Sequence, residues 1–198
     1  MYPTLRDNKD YTSIVNDKQY NRLQGYLEDA RDQGATIIEL NSKKESLTEV
    51  RKIAPTLLTG VTTEMEIMKN EIFGPILPIL EYEHIEDALQ FINSRPRPLA
   101  FYYFDIDMAR ADYVAGRTHS GHFGINQVLT HVAQDDLPFG GIGASGMGKY
   151  HGKEGFFSFS HERSVMSNPV SPKLYSLKFI LPPYNKAAHK LLLKTLFR

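Results

Sequence analysis

The chain contains no cysteine. That excludes a disulfide framework, a thiolate zinc site and a thiol nucleophile anywhere within it. It also lacks a charge of either sign in excess. Lys plus Arg number 23 and Asp plus Glu number 23, so the formal net charge is zero. A nucleic-acid surface usually needs a basic surplus, and no nucleic-acid partner is expected. There is no apolar run long enough to span a bilayer. The first ten residues, MYPTLRDNKD, are polar and charged and do not read as a signal peptide. A cytoplasmic location is the expectation. What is present is ordinary for a globular protein: 41% hydrophobic and 23% charged residues in 198 positions, enough for one sizeable domain or two small ones.

The clearest helix spans residues 16–34. Tyr20, Leu23, Leu27 and Ala30 recur at spacings of three and four, Asn16 stands at the cap with Gln19 three residues on, and Gly34 supplies the stop. Strands are expected at 35–40 and 52–61, the latter at an edge or with a bulge because of Pro55. Residues 41–50 read as loop. Beyond them a strand at 75–82, a helix at 84–94, a strand at 99–104 with both faces covered, a helix capped by Asp107 and a strand at 122–126 follow in turn. Alternation of this kind implies an α/β fold, a mostly parallel sheet with flanking helices. Residues 127–150 read as glycine-rich loop, HERSVMSN from His161 as a strand, and the remainder as a tail ending in a short basic helix.

In such sheets ligands gather beyond the carboxyl ends of strands. The segment NEIFGPILPIL, residues 70–80, places Glu71 and Phe73 before a stiff Gly74-Pro75 turn. A carboxylate there can accept from two neighbouring hydroxyls, and a ring can press on a flat heterocycle. A capping Glu71 and a core-filling Phe73 are the plainer reading of the same residues.

Two glycine patterns mislead. Gly141-Ile-Gly143-Ala-Ser-Gly146 matches a dinucleotide fingerprint, and the run from Gly143 to Lys149 begins like a phosphate loop. The first follows loop rather than strand, and the second has Tyr150 where Ser or Thr must ligate magnesium. Tight backbone approach is the better account of these glycines. Gly143-Ala-Ser145-Gly-Met147 also fails the nucleophile elbow at its last position. No metal site is expected: His119, His122 and His131 have no H-E-x-x-H and no carboxylate at ligand spacing. His131 suits either the mouth of a substrate site or a solvated loop.

Taken together, EIFGP at 71–75 and LPFGGIGASGMGKYHG at 137–152 resemble the aldehyde dehydrogenases. RPRPLAFYYF and YHGKEGFFSFSHERSVM are similar to the class 3 branch, which includes fatty-aldehyde and bacterial coniferyl-aldehyde dehydrogenases. The resemblance covers the chain to about Met166 and, more loosely, the PPY tail. It implies that Glu71 holds the ribose hydroxyls of the nicotinamide half of NAD or NADP and that Phe73 packs on that end. It places Asn126 and His131 at the aldehyde entrance, and Phe139, Gly140 and Gly141 in a glycine loop beneath the site. It makes residues 1–160 a partial catalytic domain and 161–198 an oligomerisation strand and tail.

The family reaction needs a cysteine thiolate to attack the aldehyde, hydride transfer to the nicotinamide, and hydrolysis of the resulting thioester. That cysteine, the general-base Glu and the dinucleotide-binding domain all lie upstream of this sequence. The chain therefore reads as the C-terminal portion of an NAD(P)-dependent enzyme that oxidises an aromatic or long-chain aldehyde, or as a truncated, non-catalytic remnant. The intact enzyme would be a homo-oligomer, a dimer. The basic tail suits a packed helix better than a membrane-surface segment.

Overall fold

The computed structural model describes residues 2–167 and 187–196, and the chain divides into two units, 1–94 and 95–198. The first unit begins with α1, Asp17–Asp32. Asn16 sits in extended conformation and its side chain accepts from the Gln19 amide, which satisfies one orphan donor of the first turn. Gln19 does not complete a reciprocal cap, because its Oε1 accepts from Arg22 instead. Gly34, at φ 92°, turns the chain into β1, Thr36–Glu39.

β1 pairs antiparallel with β2, Thr56–Thr59, and β2 pairs parallel with β3, Ile76–Pro78. The order is β1-β2-β3. The strands expected over 52–61 and 75–82 are thus much shorter. β2 is central, not an edge. Pro55 lies just ahead of it, where no ladder donor is needed, and its carbonyl accepts from the Leu40 amide at 2.8 Å. Pro78 closes β3 on the edge. Leu23, Leu27 and Ala30 of α1 pack with Ala35, Ile53, Leu58, Met65, Ile67 and Ile76 into one core. Each large apolar side chain buried there contributes about 1.5–3 kcal/mol. Met65 caps a short helix, α2, Glu66–Lys69, that contains Ile67, and α3, Ile85–Asn93, ends the unit.

The N-terminal segment is tied down by two charged side chains. Lys52 is buried, and its Nζ donates to the carbonyls of Leu5, Arg6 and Asn8 at 2.9, 2.7 and 2.9 Å. Glu45 accepts from the amides of Leu5 and Arg6, which holds its carboxyl below the ordinary range. Leu5, Leu47 and Ala54 fill a second small core beneath them.

In the second unit β4, Ala100–Tyr103, pairs parallel with β5, His122–Ile125. Between them runs α4, Met108–Ala115, whose Asp107 cap accepts from the amides of Ala109 and Arg110 and whose Ala111 and Val114 are buried. β4 is half-buried along its length, not covered on both faces. The glycine-rich loop contains two 3₁₀ turns, Thr130–Ala133 and Gly143–Ser145, and Phe139 pairs with Tyr150. Helix α5, Gly152–Ser158, follows. His161–Ser167 forms no strand among the described residues; the loss of alternation there is visible in Val165 and Met166, both exposed. The PPY segment lies outside the described residues. The expected basic helix is α6, Ala187–Leu196. No helix among the described residues is long and apolar enough to cross a membrane.

Candidate functional site

Glu71 and Phe73 lie in the connection from α2 to β3. Phe73 is 81% exposed, and its backbone has φ 49°. An aromatic side chain in the left-handed region costs free energy, and one turned to solvent as well regains nothing by packing. A core-filling Phe73 is therefore overturned. Glu71 is exposed and caps no helix: α2 ends at Lys69, ahead of it.

The corner is held from behind by α1. Arg22 donates from Nη1 to the Glu71 carbonyl at 3.0 Å and from Nη2 to the Ile72 carbonyl at 2.7 Å. Gly74 lies so close to the same helix that a Cβ there would be 2.6 Å from Leu23 Cδ1. A cavity of about 360 Å³ opens beside Phe73, lined by Tyr11, Ile14, Gln19, Phe73 and Pro75 among others. An outward carboxylate, an outward ring and an adjoining cleft suit one end of a polar, flat ligand.

In the second unit, Asn126 and His131 have different surroundings. Asn126, at φ 53°, is exposed, but its amide is occupied: Oδ1 accepts from the Asp105 amide at 2.9 Å and Nδ2 donates to the Asp105 carbonyl at 2.7 Å. It splices the ends of β4 and β5. Asp105 itself accepts two hydrogen bonds from Arg110, at 2.6 and 2.8 Å, and others from Tyr103 and the Asp107 amide. The Arg110 fork, the Asp107 amide and the Tyr103 hydroxyl hold its carboxyl far below the usual carboxylate range. Asp105 and Arg110 carry no sequence motif, and only their position after a strand could have pointed to them.

His131 is buried, so the solvated-loop reading is overturned. Its ring stacks on His122 with centroids 3.6 Å apart and planes 6° from parallel. Tyr102 and Phe139 lie at 5.8 and 5.7 Å from it. Burial, and then the proximity of His131, push the His122 imidazole below its ordinary value. Gln127 Nε2 lies 3.2 Å from His122 Nε2, and Gln127 Oε1 accepts from the Thr130 hydroxyl.

The glycines of the following loop do what close approach requires. A Cβ on Gly140 would meet the Gly148 carbonyl oxygen at 2.1 Å, and one on Gly141 the Ser145 carbonyl oxygen at 2.1 Å. Phe139 packs edge-on against Tyr150 at 5.5 Å. The fingerprint-like glycines open a single 3₁₀ turn, and no helix begins until Gly152. Among the described residues no three His, Asp or Glu side chains gather as metal ligands.

The aldehyde dehydrogenase family profile matches residues 2–165. The chain belongs to the aldehyde dehydrogenase family. A probable coniferyl aldehyde dehydrogenase of Pseudomonas aeruginosa is 49% identical over 197 residues, which is 100% of this chain and 40% of that protein. The coniferyl aldehyde dehydrogenase of a Pseudomonas species, strain HR199, is 46% identical over 195 residues, 97% of this chain and 40% of its own length. Among solved structures, a substrate-bound Staphylococcus aureus AldH superposes with a TM-score of 0.74 at 40% identity, covering 96% of this chain and 39% of that one. An aldehyde dehydrogenase of Mycobacterium tuberculosis complexed with NAD+ gives 0.66 at 31% identity over 74% of this chain and 30% of its own. The chain thus spans about 40% of the length of these curated relatives. The α/β class expected from the sequence agrees with these structures, and among the described residues two of the three strand pairings are parallel.

Proposed function

We propose that this chain supplies the nicotinamide-ribose contact of an NAD(P)-dependent aldehyde dehydrogenase and does not oxidise aldehydes by itself. The observation that carries the reading is the exposed, left-handed Phe73 set two residues from an exposed Glu71. Glu71 would accept from the two ribose hydroxyls, and Phe73 would press on the nicotinamide end. The cleft beside Phe73 has room for part of a nucleotide, so the residues present fit the group. When bound, NAD(P) supplies the hydride acceptor.

The remaining assignments follow the family membership. Asn126 and His131 would frame the aldehyde entrance, Asn126 by fixing the strand ends and His131 by fixing its loop from within. Phe139, Gly140 and Gly141 would form the floor. The substrate would be an aromatic aldehyde such as coniferyl aldehyde, or a long-chain aliphatic one, consumed in the cytoplasm by a homo-oligomer. Residues 1–160 would be catalytic-domain sequence and 161–198 an oligomer-contact segment and tail.

No side chain in the chain can replace a thiolate. Hydroxyl nucleophiles need a dedicated base, and Ser145 Oγ is turned back on its own loop, donating to the Ile142 carbonyl at 3.1 Å. The purified chain, mixed with NAD or NADP and coniferyl, benzyl or long-chain aldehydes, is expected to form no NAD(P)H above a denatured control. Turnover abolished by Glu71→Gln would overturn the second half of the reading. Failure of nicotinamide mononucleotide to shift the amide resonances of residues 71–74 would overturn the first.

A further inference from the structure

We infer that Arg22 is the positioning residue of the Glu71–Phe73 corner, a fork on α1 that bends the backbone so that Phe73 is presented before any ligand arrives. This deepens the reading of that corner as a nicotinamide-nucleotide contact and rests on it for its purpose.

In an extended chain, successive carbonyls point to opposite sides. Here the carbonyls of Glu71 and Ile72 both reach one guanidinium, through Nη1 and Nη2. One planar fork takes both carbonyls, and the next residue is Phe73 at φ 49°, just ahead of the bend at Gly74 and Pro75. The next residue is clamped as well. Gly74 packs on the side chain of Leu23, the neighbour of Arg22 in α1, which a Cβ there would have to displace. Residues on either side of Phe73 are thus fixed to adjacent positions of one helix, while the Phe73 ring is left free in solvent.

Arg22 is itself fixed. Its Nε donates to Gln19 Oε1 at 2.6 Å, and its guanidinium lies 5.0 Å from the Tyr26 ring centroid. Those partners stand three residues before and four after it, on one face of the helix. Three of the five guanidinium N–H donors, one on each nitrogen, are committed to named oxygens. Lysine has a single rotating ammonium and cannot span two carbonyls and a side-chain amide in one plane. Ordering of this kind removes part of the entropy a ligand would otherwise have to take from the loop.

The test uses the full chain and three variants: Arg22→Met, Arg22→Lys and Gln19→Met. Arg22 is only half-buried, so each variant is expected to keep the parent far-UV circular dichroism. Chymotrypsin reads the corner directly, because cleavage after Phe73 tracks the open population of that segment. Loss of two hydrogen bonds predicts cleavage at Phe73 roughly tenfold or more faster in Arg22→Met. Arg22→Lys should fall in between, Gln19→Met should show a smaller rise, and cleavage at other sites should not change. Nicotinamide mononucleotide titrated against the parent should shift the amides of residues 71–74, and Arg22→Met should blunt those shifts. Unchanged cleavage at Phe73 in Arg22→Met, or full restoration by Arg22→Lys, overturns the fork. Faster cleavage with no nucleotide shift in the parent upholds the fork and removes the nucleotide.

Discussion

At the scale of single residues, one partly buried imidazole links the second unit to pH. His122 Nε2 lies 3.2 Å from the Gln127 amide, and one face of the ring is covered by His131 at 3.6 Å. A charge on the ring would be partly desolvated and would sit beside a second histidine. The folded imidazole therefore binds protons less readily than the unfolded one, whose value is about 6.5. The unfolded state takes up more protons as pH falls, so stability declines in that direction. The contribution of His122 is full above about 6.5 and is lost as pH falls through the depressed folded value. Urea unfolding followed from pH 8 to pH 5 should show the parent losing stability faster than His122→Gln, whose amide does not titrate. Parallel curves would mean that the stack carries no such linkage. Through His131 the stack continues to Tyr102 and Phe139, and from Phe139 to Tyr150 and His151.

At the scale of elements, what the sequence reveals depends on whether the signal is periodic. The helix α1 is legible because Leu23, Leu27 and Ala30 repeat on one face and Asn16 and Gly34 punctuate it. The cap of α4 is legible because Asp107 is the one residue type there that reaches two amides. The short helix α2 is not, since four residues cannot display a 3.6-residue period. Nor is the antiparallel β1–β2 pair, because strand direction is set by the connection between strands and residues 41–50 carry no hairpin signature. In the candidate site, Glu71 and Phe73 are legible as a motif, but Arg22 is not: its partners are backbone carbonyls 49 and 50 residues away, which no spacing encodes. His131 is ambiguous in sequence because burial in a loop depends on the ring it meets, here His122. The glycine loop is legible in its purpose, and its positions can be ranked. Gly140→Ala drives a Cβ against the Gly148 carbonyl oxygen and Lys149 Cα, both backbone, and should cost about 1–3 kcal/mol or unfold the loop. Gly143→Ala meets only Arg97 Cδ at 3.9 Å and bears chiefly the left-handed backbone penalty, at φ 64°, of about 1 kcal/mol. Chemical denaturation of the two variants should place Gly140→Ala well below Gly143→Ala, and the reverse order would refute the backbone-approach account.

At the scale of the whole molecule, the outstanding feature is apolar surface. On the edge strand and the segment after it, Leu77 is 58% exposed and Tyr82 57%, with Ile79 and Leu80 also open to solvent. A cavity of about 650 Å³ beside them is lined by Leu80, Tyr82 and, from α3, Ala88, Phe91 and Ile92, with Glu81, Glu83 and Asp87 adding acidic groups. The chain after α5 adds Phe159, Val165 and Met166, at 95%, 80% and 90% exposure. Single exposed apolar residues are common, but a run of them on a strand that ends its sheet among the described residues is a template for association. The zero net charge removes the long-range repulsion that would oppose it. The isolated chain is therefore expected to be oligomeric or to aggregate, with a light-scattering mass that rises with concentration. Leu77→Lys places a charge on the β3 edge without touching the buried Ile76 beside it, and should lower that mass while leaving circular dichroism unchanged. Val165→Lys tests the second patch separately, and the two effects should add if the patches act independently. A monodisperse monomer at high concentration, near neutral pH where the net charge is zero, would show that these surfaces do not drive assembly.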